Sequence, residues 1–431
     1  MNSVLKVKMW GKEVAAVAWD SEREIGVLEF FDSFVKEDLD IAPLTMPLTD
    51  LRRGERIFSF PILRGKTFKG LPGLISDSLP DDYGNMVIDE WFANKGLTVD
   101  VNPLDRLCYI GKRGMGALEF EPANYDKSLD ESSHIEIGEL VALADEVLNR
   151  RESFQDNLLK NKKSVRDILK VGTSAGGAKP KAIIALNDKT KEVRSGQVMA
   201  PEGFSYWLLK FDGMEGGKIK DNPKGIGRIE YAYHKMAVDC GIKMSECRLL
   251  HEGKNAHFMT KRFDRSENGD KLHIQTFCGI SHFDRDERHS YEQLFNTMRN
   301  LFLPYPQMEQ MFRRMVFNVA ARNHDDHTKN HSFIMDKDGS WSLAPAYDLC
   351  YSYSPSGKWT NLHQLSLNGK RDNFTLSDLM EVAVKADIRN SKTIIDQVTQ
   401  VVSNWNNYAR EAEVNEEFIN QIDANLRVRL F

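Results

Sequence analysis

Apolar residues before residue 322 recur at three- and four-residue spacing, which predicts one buried face of an α-helix. Two strand-like segments follow the end of that face, His331–Met335 and Trp341–Ala344. Asp338 and Gly339 lie between these segments and form a strong hairpin signal. The pattern therefore predicts a helix, a polar loop and a β-hairpin in succession. The apolar face of the helix is made of Met308, Met311, Phe312, Met315, Val316 and Val319.

This hairpin would bring three polar residues together. Asp325 and Asn330 precede its first strand and Asp348 follows its second, so strands roughly 4.8 Å apart make Asn330 and Asp348 neighbours. Asp325 and Asn330 stand five positions apart, as do the aspartate and asparagine of the protein-kinase catalytic loop. Phosphoryl transfer needs a carboxylate for the acceptor proton, and an amide and a second carboxylate to hold Mg²⁺. An ordinary surface loop can show the same spacing, so the rest of the chain must decide.

Residues 1–121 read as a β-rich N-terminal subdomain, and 122–165 as a polar connector with one helical stretch. Period-two alternation predicts strands in the first part, and longer apolar periodicity predicts helices. These segments are Val4–Trp10, Val14–Trp19, Ile25–Phe31, Tyr83–Asn94, Pro103–Ile110 and Ile137–Leu148.

A glycine-rich segment, VGTSAGGAKPK, begins at Val171 and leads into a predicted strand, Lys181–Leu186. Its glycines leave backbone N–H groups able to face an anion, and kinases cover nucleotide phosphates with such a loop. It is not a Walker A loop, because Ala178 stands where the lysine must be. A simple turn could have the same composition. The candidate nucleotide-binding residues here are Gly172, Thr173, Ser174, Ala175, Gly176, Gly177 and Lys181.

Two further segments follow in the order of a protein-kinase N-lobe. The predicted strand Ser205–Phe211 carries Lys210 on a largely apolar face, where a charge is costly unless it meets an anion or reaches solvent. The predicted helix at 227–240 carries Glu230 at the border of its buried side. A strand lysine and a helix glutamate together hold the α- and β-phosphates in kinases. A solvent-facing glutamate remains the simpler alternative.

The strand Ala256–Arg262 stands where a kinase has the hinge that meets adenine. Lys261 and Phe263 are its candidate contacts. The order of elements predicts an α+β, protein-kinase-like bilobal fold with an appended β-rich N-terminal subdomain. In this fold residues 166–260 form a mixed β/α N-lobe, and residues 261–431 form a mainly helical C-lobe with the catalytic loop.

Composition excludes some classes of protein. The chain has 431 residues and a net charge of −5, so nothing in its overall charge requires nucleic acid. Five scattered cysteines show no disulfide or metal spacing, which suits reduced thiols in the cytoplasm. No apolar run reaches the length of a membrane span and no signal-peptide core is visible, so we expect no membrane partner.

The motifs GTSAGGAKPKA, RIEYAYHKMA, HFMTKRFDR, ARNHDDHTKNHSF and LAPAYDLCYS occur in the order of the HipA family, and the chain resembles these toxin kinases of bacterial toxin–antitoxin modules. The N-terminal MWGKEVAAVAW and LPDD segments resemble the small N-terminal domain of that family. The resemblance implies an ATP- and Mg²⁺-dependent Ser/Thr protein kinase that halts translation, for example by modifying an aminoacyl-tRNA synthetase, and so causes growth arrest or persistence. It also implies a helix-turn-helix antitoxin as partner, through which operator DNA is bound indirectly.

The resemblance also assigns roles by motif position. Asp325 becomes the catalytic aspartate, Asn330 and Asp348 the metal ligands, and Lys210 the nucleotide-phosphate lysine. The resemblance further implies inactivating autophosphorylation on Ser174, with the adjacent Thr173 as the other candidate, because a phosphate there adds about −2 charge where the triphosphate binds. The implied nucleotide-binding set is completed by Glu230, Lys261, Phe263, His327 and Lys329.

The chain departs from the family pattern at two positions. Asp326 stands where a relative has glycine, so Asp325 and Asp326 both remain candidates, and the spacing to Asn330 and the match at His327 favour Asp325. Lys261 replaces an acidic hinge residue.

Three other functions compete with a protein kinase. The run from His324 to His327 could ligate a transition metal in a phosphohydrolase. The chain could also be a co-repressor that keeps the fold without transfer, or a small-molecule kinase.

Overall fold

The computed structural model of the protein describes residues 4–94, 101–123, 127–149, 179–214 and 223–429. The predicted glycine-rich loop, Gly172–Gly177, lies outside the described residues, and with it both candidate autophosphorylation sites. Among the described residues, no helix is long and apolar enough to cross a membrane.

Contacts between residues divide the chain into two compact units. Most of the helix Ile226–Asp239, which the sequence assigned to the N-lobe, belongs to the second unit. The predicted domain boundaries stay predictions. The first unit consists of Met1–Ile41, Met46–Gly227 and Arg248–Ile274, and the second consists of Ala42–Thr45, Arg228–Cys247 and Gln275–Phe431.

An antiparallel sheet of five strands, in the order β4-β3-β2-β1-β5, begins the first unit. Alternation explains it, because Leu5, Val7 and Met9 are buried while the residues between them are more exposed. The three strands predicted from this alternation are confirmed. The strands are β1 (Val4–Met9), β2 (Lys12–Asp20), β3 (Ile25–Phe30), β4 (Ile57–Phe58) and β5 (Leu118–Glu121).

The helices of the first unit have local causes in the sequence. Asn102 and Asp105 form a reciprocal capping box around Pro103, which starts the helix Pro103–Ile110 as predicted. Asp81 accepts a hydrogen bond from the backbone N–H of Gly84 and so caps the next helix upstream. The helices are Asp32–Val35, Leu48–Arg52, Gly73–Ser76, Asp82–Asn94, Pro103–Ile110 and Ile137–Asn149, with 3₁₀ turns at Pro61–Leu63 and Lys127–Asp130.

A second sheet in the first unit has the order β7-β6-β8-β10-β9. Every residue of its strand β6 is buried, which fits the continuous apolar run of that segment. In the antiparallel pairing, Lys210 of β8 lies opposite Lys181 of β6 and Phe258 of β10. The strands are β6 (Lys181–Leu186), β7 (Val193–Ser195), β8 (Ser205–Lys210), β9 (Cys247–Glu252) and β10 (Asn255–Lys261).

The second unit is mainly helical, as predicted for the C-lobe. All six residues of the apolar face that the sequence indicated are buried in the helix Tyr305–Ala320. The helices of this unit are Ile226–Asp239, Phe277–Ser281, Tyr291–Asn300, Tyr305–Ala320, Leu376–Lys385, Ser391–Val402, Trp405–Glu411 and Glu416–Asp423.

The predicted hairpin is confirmed in the second unit. Its antiparallel register sets Phe333 opposite Leu343, and Gly339 adopts φ 84° in the turn, a conformation that a side chain would strain. A 3₁₀ turn, Thr328–Asn330, leads into it. The remaining strands are β11 (His273–Thr276), which spans the division between the units, β12 (His289–Ser290), β13 (Ser332–Met335), β14 (Trp341–Leu343) and β15 (Leu365–Ser366).

Candidate functional site

The loop before the hairpin is fixed where the helix Tyr305–Ala320 ends. Arg322 there adopts φ 57°, so the chain leaves the helix sharply. Asn323 then bonds twice back to Asn318, backbone to backbone at 3.0 Å and through their side chains at 2.9 Å. These contacts set the starting direction of the segment that carries the candidate catalytic residues.

Asp325 is the accessible acid of this loop. Its side chain is 44% exposed, although both neighbouring residues are buried. Its backbone N–H donates to the hydroxyl of Ser352 at 2.9 Å, and its carbonyl oxygen accepts from Nδ2 of Asn330 at 2.7 Å. The backbone is therefore held on both sides while the carboxylate faces outward.

Asp326 is buried, and both oxygens of its carboxylate accept hydrogen bonds. Its carboxylate accepts hydrogen bonds from the hydroxyl of Tyr291 at 2.7 Å, from Nδ1 of His363 at 2.9 Å and from the backbone N–H of Gln364 at 2.7 Å. Burial alone would raise the pKa of Asp326, but His363 and these donors hold it below its usual value. Of the two aspartates that competed for the catalytic role, only Asp325 has a carboxylate that a substrate can reach.

His327 orients the next turn of the loop as a neutral imidazole. Burial, with the charge of Arg285 as a smaller cause, lowers the pKa of His327 to about 3. Its Nδ1 accepts the backbone N–H of Lys329 at 3.2 Å, so the ring proton sits on Nε2. That nitrogen lies 3.7 Å from a carboxylate oxygen of Asp325, beyond normal hydrogen-bond distance.

The open ends of the hairpin meet as the sequence predicted. Tyr347, directly before Asp348, donates its hydroxyl to the carbonyl of Lys329 at 2.7 Å and lies 2.5 Å from the hydroxyl of Ser332. These bonds join the residue before Asp348 to the residue before Asn330. Asp348 itself adopts φ 55°, which Asp and Asn tolerate better than most residues.

The transition-metal alternative does not fit this geometry. The ring centre of His324 lies 4.0 Å from that of His363, and four groups donate to the carboxylate of Asp326. Within the described ranges, no group of three or more His, Cys, Asp or Glu side chains is placed to hold a metal ion. The run from His324 to His327 therefore does not act as one ligand set.

The candidate residues of the first unit lie on and beside its second sheet. Lys210 places Nζ 5.8 Å from the ring centre of Phe258. Lys181 instead forms an ion pair with Asp81 at 2.8 Å, in which both side chains are at most 6% exposed. The proposed role of Lys181 beside the phosphates stays a prediction. Asp81 thus both caps the helix Asp82–Asn94 and forms this pair, which sequence reasoning missed.

Lys261 and Phe263, the predicted hinge residues, are both half-buried. The residue that follows, Asp264, is the member of this segment that sequence reasoning missed. It lies fully buried between Arg262, at 2.6 Å, and Arg265, at 2.7 Å. The signal was the R-F-D-R pattern itself, in which two cations flank one acid.

Asp264 also fixes the glycine loop of the N-terminal subdomain. Its carboxylate accepts the backbone N–H of Gly116 at 2.8 Å, and Arg265 donates to the carbonyl of Gly114 at 3.1 Å. Burial would raise the pKa of Asp264, but the two guanidiniums hold it far below its usual range. The hinge segment is thus anchored within the first unit by a buried ionic cluster.

In the second unit, Glu230 is buried on the helix Ile226–Asp239, as its position at the border of the apolar face suggested. The start of this helix is held by Asp212, two residues after Lys210, which accepts the backbone N–H groups of Gly225 at 2.8 Å and Gly227 at 3.2 Å. Sequence reasoning gave no role to Asp212.

Comparison with known proteins supports one family. The model of the HipA-like C-terminal domain matches residues 173–405, and that of the HipA N-terminal domain matches residues 5–121. A Haemophilus influenzae protein named "Putative kinase" is 28% identical over 157 residues, which is 33% of this chain and 46% of that protein. The chain thus spans about half the length of this curated relative.

A solved structure shows the same fold. It is the complex of HipA, HipB and operator DNA from the Shewanella oneidensis MR-1 toxin–antitoxin system, matched with a TM-score of 0.66 and 16% identity over 97% of this chain and 95% of that one. The Helicobacter pylori proinflammatory kinase CtkA aligns with a TM-score of only 0.32 and 13% identity, over 51% of this chain and 90% of CtkA, and carries no weight.

The first of these matches confirms the predicted fold class, a mixed α+β, kinase-like fold. At 16% sequence identity, this match shows only that the two chains share a fold. Family membership rests on the sequence models, one of which spans more than half of the chain. The chain belongs to the HipA family.

Proposed function

We propose that the chain is an ATP- and Mg²⁺-dependent Ser/Thr protein kinase that acts as the toxin of a toxin–antitoxin module. One observation carries this proposal: of the two adjacent aspartates in the loop, Asp325 is exposed at the kinase spacing from Asn330, while Asp326 is buried. A carboxylate held outward on a backbone fixed from both sides is placed as a general base for an acceptor hydroxyl must be.

The donor set suits Mg²⁺. Nδ2 of Asn330 donates to the backbone carbonyl oxygen of Asp325. The amide oxygen of Asn330 is therefore the atom that can bind a cation. The carboxylate of Asp348 supplies the second hard oxygen ligand, and Mg²⁺ keeps several waters at sites of this kind. When bound, the ion neutralises charge on the phosphate oxygens during transfer.

Asp325 acts on the acceptor. Its exposed carboxylate takes a hydrogen bond from the attacking hydroxyl and receives the proton as the bond to the γ-phosphorus forms and the bond from that phosphorus to the departing ADP oxygen breaks. His327 is neutral and contributes orientation rather than charge, because its Nδ1 holds the backbone of Lys329. Because this hydrogen bond fixes the turn, we include both His327 and Lys329 in the proposed nucleotide-binding site.

A second set of residues forms the proposed nucleotide site. Lys210 takes the nucleotide phosphates with support from Glu230, and Lys261 and Phe263 meet adenine through the hinge. The loop Gly172–Gly177 covers the phosphates, and Ser174 or Thr173 within it is the site of inactivating autophosphorylation. These assignments rest on the family motifs.

The proposed partners follow from the family and the solved complex. A helix-turn-helix antitoxin binds the toxin and carries it to operator DNA, by analogy with the solved complex of HipA, HipB and operator DNA. The proposed substrate is a translation component such as an aminoacyl-tRNA synthetase, whose phosphorylation in the cytoplasm would arrest growth and favour persistence.

Intact mass after incubation with Mg-ATP tests the proposal, with the wild type beside Asp325→Asn. We expect the wild type alone to gain one phosphate, mapped to Ser174 or Thr173. The starting mass identifies a preparation that is already phosphorylated, and phosphatase treatment before the assay then restores the test. No phosphate on treated wild type, and no ATP consumed, would favour a co-repressor that keeps the fold without transfer.

A further inference from the structure

The segment that follows the helix Glu416–Asp423 returns to the start of the candidate catalytic loop. The backbone N–H of Arg427 donates to the carbonyl oxygen of Ala320 at 2.8 Å. Ala320 is the last residue of the helix Tyr305–Ala320, and the last carbonyl groups of a helix have no partner within it. This bond therefore fixes a segment that is distant in sequence at the point where the catalytic loop leaves its helix.

The side chain of Arg427 is connected to the same loop through one carboxylate. Its Nη2 lies 2.8 Å from Oδ1 of Asp372 and donates to the side-chain oxygen of Asn373 at 3.2 Å. The same Oδ1 of Asp372 accepts a hydrogen bond from Nη1 of Arg322 at 3.1 Å. Charge-assisted bonds of this kind are stronger than those between neutral groups, and partial burial of the three side chains limits their screening by salt. Arg427, Asp372 and Arg322 thus form one connected chain of ion pairs, called the arginine relay below.

Arg322 is the member of the arginine relay that begins the catalytic loop. Its φ of 57° is uncommon for a residue with a side chain, and such a conformation persists only where the surrounding contacts hold it. Its guanidinium is held between Asp372 and Tyr353, whose ring centre lies 3.6 Å from the guanidinium carbon. Its carbonyl oxygen accepts the backbone N–H of Ser352 at 3.3 Å. Contacts to more distant parts of the chain therefore hold this turn at both its side chain and its backbone.

Ser352 connects Arg322 to the proposed catalytic carboxylate. Its hydroxyl accepts the backbone N–H of Asp325 at 2.9 Å and donates to the side-chain oxygen of Asn323 at 3.2 Å. Because the backbone N–H of Ser352 also bonds to Arg322, a shift of Arg322 displaces the group that holds the backbone of Asp325. The direction of the carboxylate of Asp325 follows such a shift, since a side chain starts from its backbone.

We propose that Arg427 is a positioning residue for phosphoryl transfer. It acts on Asp325 through Asp372 and Arg322. This inference rests on the proposed kinase function and adds a residue that lies outside the motifs on which that function is based. A general base must lie within hydrogen-bond distance of the acceptor hydroxyl, and a misplacement of about 1 Å can cost on the order of 100-fold in rate.

The expected effect is on the rate rather than on nucleotide affinity. Without the guanidinium of Arg427, Asp372 keeps one cation in place of two, so the strained turn at Arg322 is held less firmly. The proposed nucleotide-binding residues do not include Arg427. A change at this position should therefore slow transfer in a protein that still binds nucleotide normally.

Single-turnover cleavage of the γ-phosphate of Mg-ATP tests the inference, with the full chain in excess and treated with phosphatase beforehand. Rapid quench counts the phosphate whether it ends on the protein or in water, so no acceptor has to be identified. Arg427→Gln should lower the rate constant about tenfold. The Kd and the stoichiometry for the non-hydrolysable analogue AMP-PNP, measured by calorimetry, should change by less than about twofold.

Two variants at neighbouring positions of the same segment control this test. Arg427→Lys should restore the rate constant to within about threefold of wild type, because an ammonium group can still pair with Asp372. Arg429→Gln, at an exposed position two residues further on, is the matched control and should leave the rate constant unchanged.

A double-mutant cycle separates a relay from two independent effects. Asp372→Asn should lower the rate constant at least as much as Arg427→Gln, because it breaks both ion pairs. The double variant should be no slower than Asp372→Asn, because both changes interrupt the same path. If the two losses multiply instead, the residues act separately and the relay is wrong.

Other outcomes overturn the inference or the function on which it rests. A wild-type rate constant in Arg427→Gln would show that this residue does not position the loop. A loss confined to the Kd or the stoichiometry for AMP-PNP, or a slow rate that Arg427→Lys does not restore, would mean that Arg427 serves stability alone, and the inference would be wrong. If the wild type cleaves no ATP, the proposed function fails and the inference fails with it.

Discussion

Asn330 donates a hydrogen bond from Nδ2 to the backbone carbonyl oxygen of Asp325 over 2.7 Å. This bond closes the loop between the proposed metal ligand and the proposed catalytic aspartate. It also explains the residue type, because an amide can hold the loop with its nitrogen and a cation with its oxygen. A carboxylate at this position would supply the oxygen but not the donor.

The first prediction replaces that amide. Asn330→Asp should lower the single-turnover rate of phosphoryl transfer about 100-fold even at saturating Mg²⁺, because the carboxylate cannot donate to the carbonyl of Asp325. Rapid-quench measurements across a Mg²⁺ series check this. Asn300→Asp, on the exposed end of another helix, is the control and should leave the rate unchanged. A wild-type rate in Asn330→Asp would show that the loop does not depend on this bond.

The second prediction concerns the cation. Asp348→Asn should raise the half-saturating Mg²⁺ concentration for transfer at least tenfold, because it replaces a charged oxygen ligand by a neutral one. Asparagine tolerates the φ of 55° at this position, so the free energy of unfolding should change by less than about 1 kcal/mol. Activity titrated with Mg²⁺, beside urea unfolding, separates the two effects. An unchanged titration would exclude Asp348 as a ligand.

The helix, loop and hairpin around the site could be predicted because each is specified locally. The apolar face of Tyr305–Ala320 and the turn at Asp338-Gly339 need no distant partner to be recognised. The same holds for the strands that alternate or run apolar, such as β6. Short strands such as β12 and β15 escaped prediction, because two residues carry no period and the pair exists only through contact between distant segments.

The sequence favoured Asp325 over Asp326 through the spacing to Asn330 and the match at His327, but it left both as candidates because the two are adjacent and chemically identical. Their difference comes from Tyr291 and His363, which are far away in the chain and converge only on Asp326. The buried pair of Lys181 and Asp81 is 100 residues apart and escaped for the same reason. Sequence spacing thus predicts where the candidate site lies, and tertiary contacts distinguish the two aspartates within it.

The third prediction uses the contrast between these two aspartates. Asp326→Asn should lower the free energy of unfolding by about 3 kcal/mol, because the neutral amide replaces a buried carboxylate that accepts from Tyr291 and His363 and leaves these donors poorly matched. Asp325→Asn, at an exposed position, should lower it by less than about 0.5 kcal/mol. Urea unfolding at pH 7 checks both. Equal losses for the two variants would contradict the assignment of Asp326 to stability and of Asp325 to chemistry.

The last prediction concerns pH and His331. Burial lowers the pKa of this buried side chain to about 4, and its Nε2 has no hydrogen-bond partner. The folded state therefore keeps the imidazole neutral, whereas the unfolded chain takes up a proton below about pH 6.5. The contribution of this pKa difference to the free energy of unfolding is fully present above pH 6.5, and it is lost as the pH falls towards 4. Between pH 7 and pH 5 the linkage amounts to about 2 kcal/mol.

His331→Phe keeps a ring against Tyr291, whose centre lies 5.9 Å away, and removes the titration. The variant should be less stable than wild type at pH 7, since it loses the bond to the backbone of Asp326. That deficit should shrink by about 2 kcal/mol at pH 5, measured by urea unfolding at both values. His251→Gln, at an exposed position, should track the wild type at both. If His331→Phe also ran parallel to wild type, the acid sensitivity of the fold would have to come from other buried histidines.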